Sequence, residues 1–152
     1  MPDPHSDLDA QLRAAESRVY DAYALSTREL RVRVPSLDCG VRVVEVEGDD
    51  TRPPVVLLHG ISSVSALAIP LMPGFGGRRV LAIDFPGHGL SDPFRFPKGA
   101  GVADALSAVV SAVVEELADA PVDLVAHSLG GQTALTYVLA NPGAVNRLGH
   151  LA

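Results

Sequence analysis

The ten residues Val122-Asp-Leu-Val-Ala-His-Ser-Leu-Gly-Gly131 constrain this chain more than any other stretch. Val122 to Ala126 is a short apolar run of the kind that fills a strand buried on both faces. Leu129 to Ala140 has the composition of a helix. Only His127 and Ser128 lie between them, so the backbone must pass from extended to helical within two residues. Such a turn folds the new helix back against the strand it has just left. The positions two residues on either side of Ser128 must then be small, and they are Ala126 and Gly130. A buried strand feeding a helix this directly is the opening of a strand-helix-strand crossover, which places strands parallel in one sheet.

The same grammar occurs twice more upstream. Val55 to Leu58 is a continuous apolar run that opens into His59-Gly-Ile-Ser-Ser63, and a helix interrupted by Pro70 and Pro73 is expected after it. Arg79 to Asp84 is a further buried strand and opens into Phe85-Pro-Gly-His-Gly-Leu-Ser-Asp92. A loop from Pro93 to Gly101 leads to a helix over Val102 to Leu117. Its stripe is Val102, Leu106, Val109, Val110, Val113 and Leu117, opposite a polar face of Asp104, Ser107, Ser111 and Glu115. Ala120-Pro121 ends that helix, Asn141-Pro-Gly143 ends the next, and Val145 to Ala152 reads as a last strand.

The first third of the chain has a different pattern. Arg28 to Val34 and Val41 to Glu47 alternate polar and apolar residues around a loop at Ser36-Leu-Asp-Cys-Gly40. Two half-buried strands joined in this way predict an antiparallel hairpin. Gly48 to Pro54 is a turn rich in breakers. Leu8, Leu12, Ala15, Val19, Ala22 and Tyr23 recur at helical spacing, which predicts a plain packing helix from Asp7 to about Leu25 after six disordered residues. The expected fold class is therefore α/β: an N-terminal helix, an antiparallel hairpin, then parallel strands with helices on both faces. The expected division is 1–26 for tail and helix and 27–152 for the sheet domain.

Composition narrows the function classes. A chain of 152 residues, 47% of them hydrophobic, can form one domain with a sizeable core. A net charge of −6 argues against nucleic acid or an anionic membrane as partner. Cys39 is the only cysteine, which excludes an internal disulfide and gives no metal-ligand spacing. No apolar run is long enough to span a bilayer, and the acidic start Met1-Pro-Asp-Pro-His-Ser-Asp does not suit a signal peptide, so a cytoplasmic location is expected. Lys98 is the only lysine, and this bias toward Arg points to a GC-rich bacterial genome.

Three chemistry-bearing segments fall at the ends of consecutive parallel strands: His59-Gly60, Asp84 to Ser91, and Ser128. In open α/β sheets ligands bind at that edge. Ser128 at a helix N-terminus is placed where backbone N–H groups favour negative charge. It also has the residue type of an ordinary helix N-cap. His59 reads as a loop-shaping histidine or as a base, and the spacing favours the former. Asp84, Gly87, His88 and Gly89 have turn chemistry and read as residues that shape the loop beside the site. His127 neighbours Ser128, but adjacent strand side chains point to opposite faces, so it is badly placed to take the proton of Ser128. Cys39 reads as incidental.

On the residues His59-Gly60, Asp84-Phe-Pro-Gly-His-Gly-Leu-Ser91 and Ala126-His-Ser-Leu-Gly-Gly131, the chain resembles the α/β-hydrolase family, in its serine esterase-like branch. The resemblance covers nearly everything from the hairpin onward. It implies that Ser128 is a nucleophile and that the backbone N–H groups of Ile61 and Leu129 bind an oxyanion. It implies that His59, Gly60, Asp84, Gly87, His88, Gly89 and Gly130 form the adjoining structure. No cofactor and no metal are implied.

A serine nucleophile needs a base and an acid that orients it, in this family in the chain order Ser, Asp or Glu, His. After Ser128 there is no Asp or Glu, and His150 is the one His. His150 reads as a residue of the last strand and not as the base. The chain is therefore expected to be the N-terminal half of such a protein, whether as a truncated product, a fragment of a longer reading frame or a decayed copy. The expected activity of the complete protein is hydrolysis of an ester or related acyl bond in a small-molecule substrate. The alternatives are acyl transfer by the same serine and an inactive binding module. The sheet edge exposed by truncation is expected to invite self-association.

Overall fold

The structure, a computed structural model, describes residues 4–96, 98–119 and 121–151. Helix α1 (Pro4–Ala22) precedes β1 (Thr27–Val34), β2 (Cys39–Val46), β3 (Val55–Leu58) and β4 (Val80–Ile83). Helix α2 (Val102–Leu117), β5 (Val122–His127), α3 (Leu129–Ala140) and β6 (Val145–Leu151) follow. The strands form one six-stranded sheet in the order β1-β2-β4-β3-β5-β6. β2 pairs antiparallel with both β1 and β4. From β4 through β3 and β5 to β6 all pairing is parallel.

Side-chain alternation sends each central strand's residues to two cores. Val56, Leu58, Leu81, Ile83, Leu124 and Ala126 face α2 and α3, meeting Leu106, Val109, Val110 and Val113 of α2 and Tyr137 of α3. Val55, Leu57, Val80 and Ala82 face the other way, onto Ile69, Met72 and Tyr20. The stripe expected for α2 is thus the packed one, although Val102 at its start is exposed and Ser107, expected on the polar face, is buried.

Several expectations are corrected. The backbone is helical from Pro4, so residues 4–6 are ordered into α1, while residues 1–3 lie outside the described residues. α1 ends at Ala22, and Ala24 follows it at φ 52°. The segment after the His59 turn is a 3-10 stretch, Ser65–Phe75, not an α-helix. Pro70 and Pro73 each lack the N–H that an α-ladder would need. Cys39 is not in a loop: a short 3-10 turn at Pro35–Leu37 completes the hairpin connection, and Cys39 is the buried first residue of β2.

The two strands of the hairpin are also unequal. β1 is an edge strand and half exposed, whereas β2 is buried along its whole length because it has a neighbour on each side. That burial encloses two charged residues. Arg42 is 3% exposed and bonds Glu16 of α1 and Asp84 at the end of β4. Glu45 is bonded by Arg28 and Arg79. Burial works to raise the Glu45 carboxyl, but the two guanidinium partners outweigh it and hold its pKa below the ordinary value.

Helix α1 packs on a face that the apolar periodicity did not mark. Leu8, Val19 and Tyr23 of the expected stripe are exposed, and the buried residues are Glu16 and Tyr20. A Glu with a buried guanidinium partner is invisible to a hydrophobic pattern, yet it decides which side of the helix turns inward.

Candidate active site

Register brings the three chemistry-bearing segments to one edge. Leu58, the last residue of β3, pairs with Ile83 on one side and with Ala126 on the other. The turns that follow β3, β4 and β5, at His59, Asp84 and Ser128, therefore leave the sheet at nearly the same level.

Ser128 joins β5 to α3 with φ 50° and ψ −114°. A non-glycine residue there carries strain of about 1–3 kcal/mol, a feature that clusters at functional positions. The Ser128 side chain is exposed and makes no capping hydrogen bond to α3, whose first turn is closed instead by the Ser128 carbonyl accepting from Gly131 N–H at 2.8 Å. Among the described residues, the N–H of Leu129, at the start of α3, donates to no other group.

The small residues around Ser128 have distinct steric reasons. A Cβ on Gly130 would lie 2.5 Å from the Leu58 carbonyl oxygen and 2.8 Å from that of His59, so the first turn of α3 rests directly on the end of β3. A Cβ on Gly60 would lie 3.2 Å from Ser128 Cβ and 2.8 Å from His127 Nδ1. The turn after β3 thus presses against Ser128 itself. Gly130→Ala is expected to cost about 2–3 kcal/mol, because backbone atoms cannot swing aside as a side chain would. In thermal unfolding this is a drop of roughly 5–10 °C at this chain length.

The turn His59-Gly60-Ile61-Ser62 is fastened to the Asp84–Leu90 segment. His59 Nε2 accepts from Phe85 N–H at 2.9 Å, and its Nδ1 lies 2.6 Å from the Gly60 carbonyl oxygen. An Nδ1–H tautomer satisfies both contacts. His88 Nε2 accepts from Ser62 N–H at 3.2 Å, and Ser62 sits at φ 57°. Asp84 is fully buried and accepts from Ser65 N–H at 2.7 Å. Gly87 and Gly89 both have positive φ, and a Cβ on Gly89 would strike the Asp84 carboxylate. Between these anchors Ile61 projects outward, 70% exposed, and its N–H donates to no described residue.

Burial lowers the pKa of His59, more than its Gly60 contact and the Asp84 charge raise it. The sign of the pH effect follows. The unfolded chain takes up a proton near the ordinary value of 6.5, and the folded chain does so only at lower pH. His59 therefore contributes stability that is complete above that pH and is lost as pH falls below it. Urea unfolding midpoints are expected to fall between pH 7.5 and 5, with a shallower fall in His59→Gln.

Other candidates stand apart from Ser128 or have different neighbours. His127 is exposed and packs against Gly60. His150 lies within β6, where its ring covers Gly131 so closely that a Cβ there would meet Nε2. Cys39 lies on β2, at the opposite end of that strand from Val46, and burial raises its pKa. Beside the site a cavity of about 270 Å³ is lined mainly by Leu57, Leu67, Leu71, Val125, His127 and Leu151. No His, Cys, Asp and Glu cluster able to hold a metal occurs among the described residues. Nor is any helix among them long and apolar enough to cross a membrane. Sequence reasoning missed Arg42 and Ser65 as members of this network. The one available signal was a charge set between valines in a strand, at Val41-Arg42-Val43.

Comparison with known proteins agrees with this architecture. The family model described as alpha/beta hydrolase fold matches residues 53–151. The sn-1-specific diacylglycerol lipase ABHD11 of Mus musculus is 35% identical over 107 residues, covering 68% of this chain and 33% of that protein. The 2-(acetamidomethylene)succinate hydrolase of Mesorhizobium japonicum is 32% identical over 110 residues, covering 72% of this chain and 38% of that protein. Among solved structures, the carboxylesterase CesB of Bacillus subtilis superposes with a TM-score of 0.74 at 20% identity, over 92% of this chain and 48% of that one. The chain thus spans about a third of the length of the curated relatives it matches. It belongs to the α/β-hydrolase fold family.

Proposed function

We propose that this chain is the nucleophile-bearing portion of a serine hydrolase that cleaves a carboxylic ester or related acyl bond. The observation that carries this reading is Ser128: exposed, strained at φ 50°, and placed against Gly60, with the Leu129 N–H beside it bonded to no described residue. In this reading Ser128 Oγ attacks the carbonyl carbon while a base takes its proton. The negative charge that forms on the carbonyl oxygen is accepted by the N–H groups of Ile61 and Leu129, each contributing about 3–4 kcal/mol in a working site. The alcohol leaves with a proton, and water then releases the acid from the acyl-enzyme. His59, Asp84 and His88 hold the loop that carries Ile61. In this reading the base and its orienting acid are supplied from outside these 152 residues: no Asp or Glu follows Ser128, and the one later histidine, His150, is packed over Gly131 within β6.

Names of relatives support hydrolysis as the reaction class: a lipase, a succinate-derivative hydrolase and a carboxylesterase. We assign the protein to a bacterium with a GC-rich genome on its bias toward Arg over Lys. We further propose that β6, which has only one neighbour in the sheet, mediates self-association of the chain in isolation.

The test is labelling with a fluorophosphonate, together with turnover of a short-chain chromogenic ester by the complete protein. Modification mapped to Ser128, with turnover abolished in Ser128→Ala, is the expected outcome. Ester added in the presence of an alcohol separates hydrolysis from acyl transfer by its products. Absence of both labelling and turnover would instead favour a non-catalytic binding module.

A further inference from the structure

Helix α1 buries little apolar surface, and its inward face is centred on Glu16, a carboxylate 3% exposed. Glu16 accepts from Arg42 through both oxygens, at 3.1 and 2.5 Å. The same Arg42 Nη1 donates to Asp84 Oδ2 at 3.0 Å. Asp84 in turn accepts from the N–H groups of Ser65 at 2.7 Å and Leu90 at 3.4 Å. Those two backbone positions bracket the site from both sides. Ser65 follows the turn that carries Ile61, and Leu90 ends the segment whose Phe85 N–H and His88 ring hold that turn at His59 and Ser62. An unbroken series of hydrogen bonds therefore runs from the N-terminal helix to Ser65, four residues beyond Ile61, and to Leu90, at the end of the segment that fastens the turn.

We propose that Glu16 is a positioning residue for the turn Gly60–Ser62, acting through Arg42 and Asp84. The physical reason lies in the orientation of the guanidinium. Arg42 is a planar fork whose direction is set by the carboxylates it meets. Glu16 engages it bidentately and leaves one N–H aimed at Asp84. Without Glu16 the fork is free to turn toward Glu29, which already accepts from Arg42 Nε at 2.9 Å and is far more exposed. Asp84 then loses its fixed partner, and with it the clamp on Ser65 and Leu90. Ser62, held at φ 57° only while its anchors persist, is the residue most able to relax. The N-terminal helix is in this view a clamp on the site and not only a cover for the sheet.

The inference rests on the reading of the Ile61 N–H as an oxyanion donor, and the experiment separates the two. Amide hydrogen exchange is resolved by residue in the complete protein, as wild type, Glu16→Ala and Glu16→Gln. Alanine keeps helix propensity, and glutamine keeps an oxygen for Arg42. Glu16→Ala is expected to speed exchange at Ser62, Ser65 and Leu90 by about tenfold or more through local opening, while Leu57 and Val125 stay within about twofold. Glu16→Gln is expected to restore most of the protection. Unchanged exchange at Ser62 and Ser65 in Glu16→Ala overturns the proposal, as does a uniform rise across β3 and β5. Fluorophosphonate modification of Ser128 is followed in parallel and is expected to slow in step with the loss of protection. If the exchange pattern holds while the wild-type protein shows no modification, the positioning role stands and the nucleophile reading falls.

Discussion

Ser128→Ala is expected to reduce kcat of the complete protein by on the order of 10⁵-fold, since losing a nucleophile removes the covalent route and leaves only binding and oxyanion stabilisation. Ser128→Gly is expected to do the same to activity and the opposite to stability. The wild-type serine occupies φ 50°, ψ −114°, a conformation that disfavours any side chain with a Cβ. Alanine keeps that strain. Glycine releases it, less the extra entropy that glycine loses on folding, for a net gain of about 1 kcal/mol. The two inactive variants should therefore differ in melting temperature by roughly 2–4 °C, with glycine higher. Equal melting temperatures would mean that the elbow is not strained. Full activity in either variant would remove Ser128 as the nucleophile.

Arg42→Ala is expected to have the largest effect on stability. Arg42, Glu16 and Asp84 are all within 3% of complete burial. Burial acts against the charge of Arg42, but its hydrogen bonds to Glu16 and Asp84 prevail and raise its pKa. Deleting the guanidinium strands two carboxylates inside the protein, a cost of about 3–5 kcal/mol. Arg42→Met, which keeps most of the volume and drops the charge, distinguishes this cause from lost packing: a deficit as large as that of alanine marks the stranded carboxylates, and a much smaller one marks a cavity. Tyr20 reports on the same place: burial and the Glu16 charge push its hydroxyl up to about 12, and loss of Arg42 should raise it further.

Much of the architecture was legible because local patterns and global fold agree. The apolar runs at Val55–Leu58, Val80–Ile83 and Val122–Ala126 could be read as strands buried on both faces, and each is, except that Val125 is half-buried. Helix α2 has the bounds its stripe predicts, because a helix packed on one face carries that face in its periodicity. Gly130 was legible as a position that must be small, and the structure supplies the atoms that demand it there and, beyond what the pattern showed, at Gly60. Where reading by pattern failed, a partner distant in sequence decided the outcome. Leu8, Val19 and Tyr23 have the spacing of a buried stripe, but Glu16 has Arg42 to meet and turns α1 onto another face. Ser107 looks polar enough for solvent and is buried.

The α/β class, the order of strands and helices, and the meeting of His59, Asp84 and Ser128 at one sheet edge are all written in the residue string. These follow from short-range chemistry: apolar runs, breakers, and turns that admit only small residues. Only the tertiary structure decided how that edge is held. The positive φ of Ser128, the pressure of Gly60 on its Cβ, and the linkage from Glu16 through Arg42 to Asp84 join residues 26 to 68 positions apart. Hydrogen bonds and close contacts of that kind depend on where folding brings the partners, and no local pattern records it.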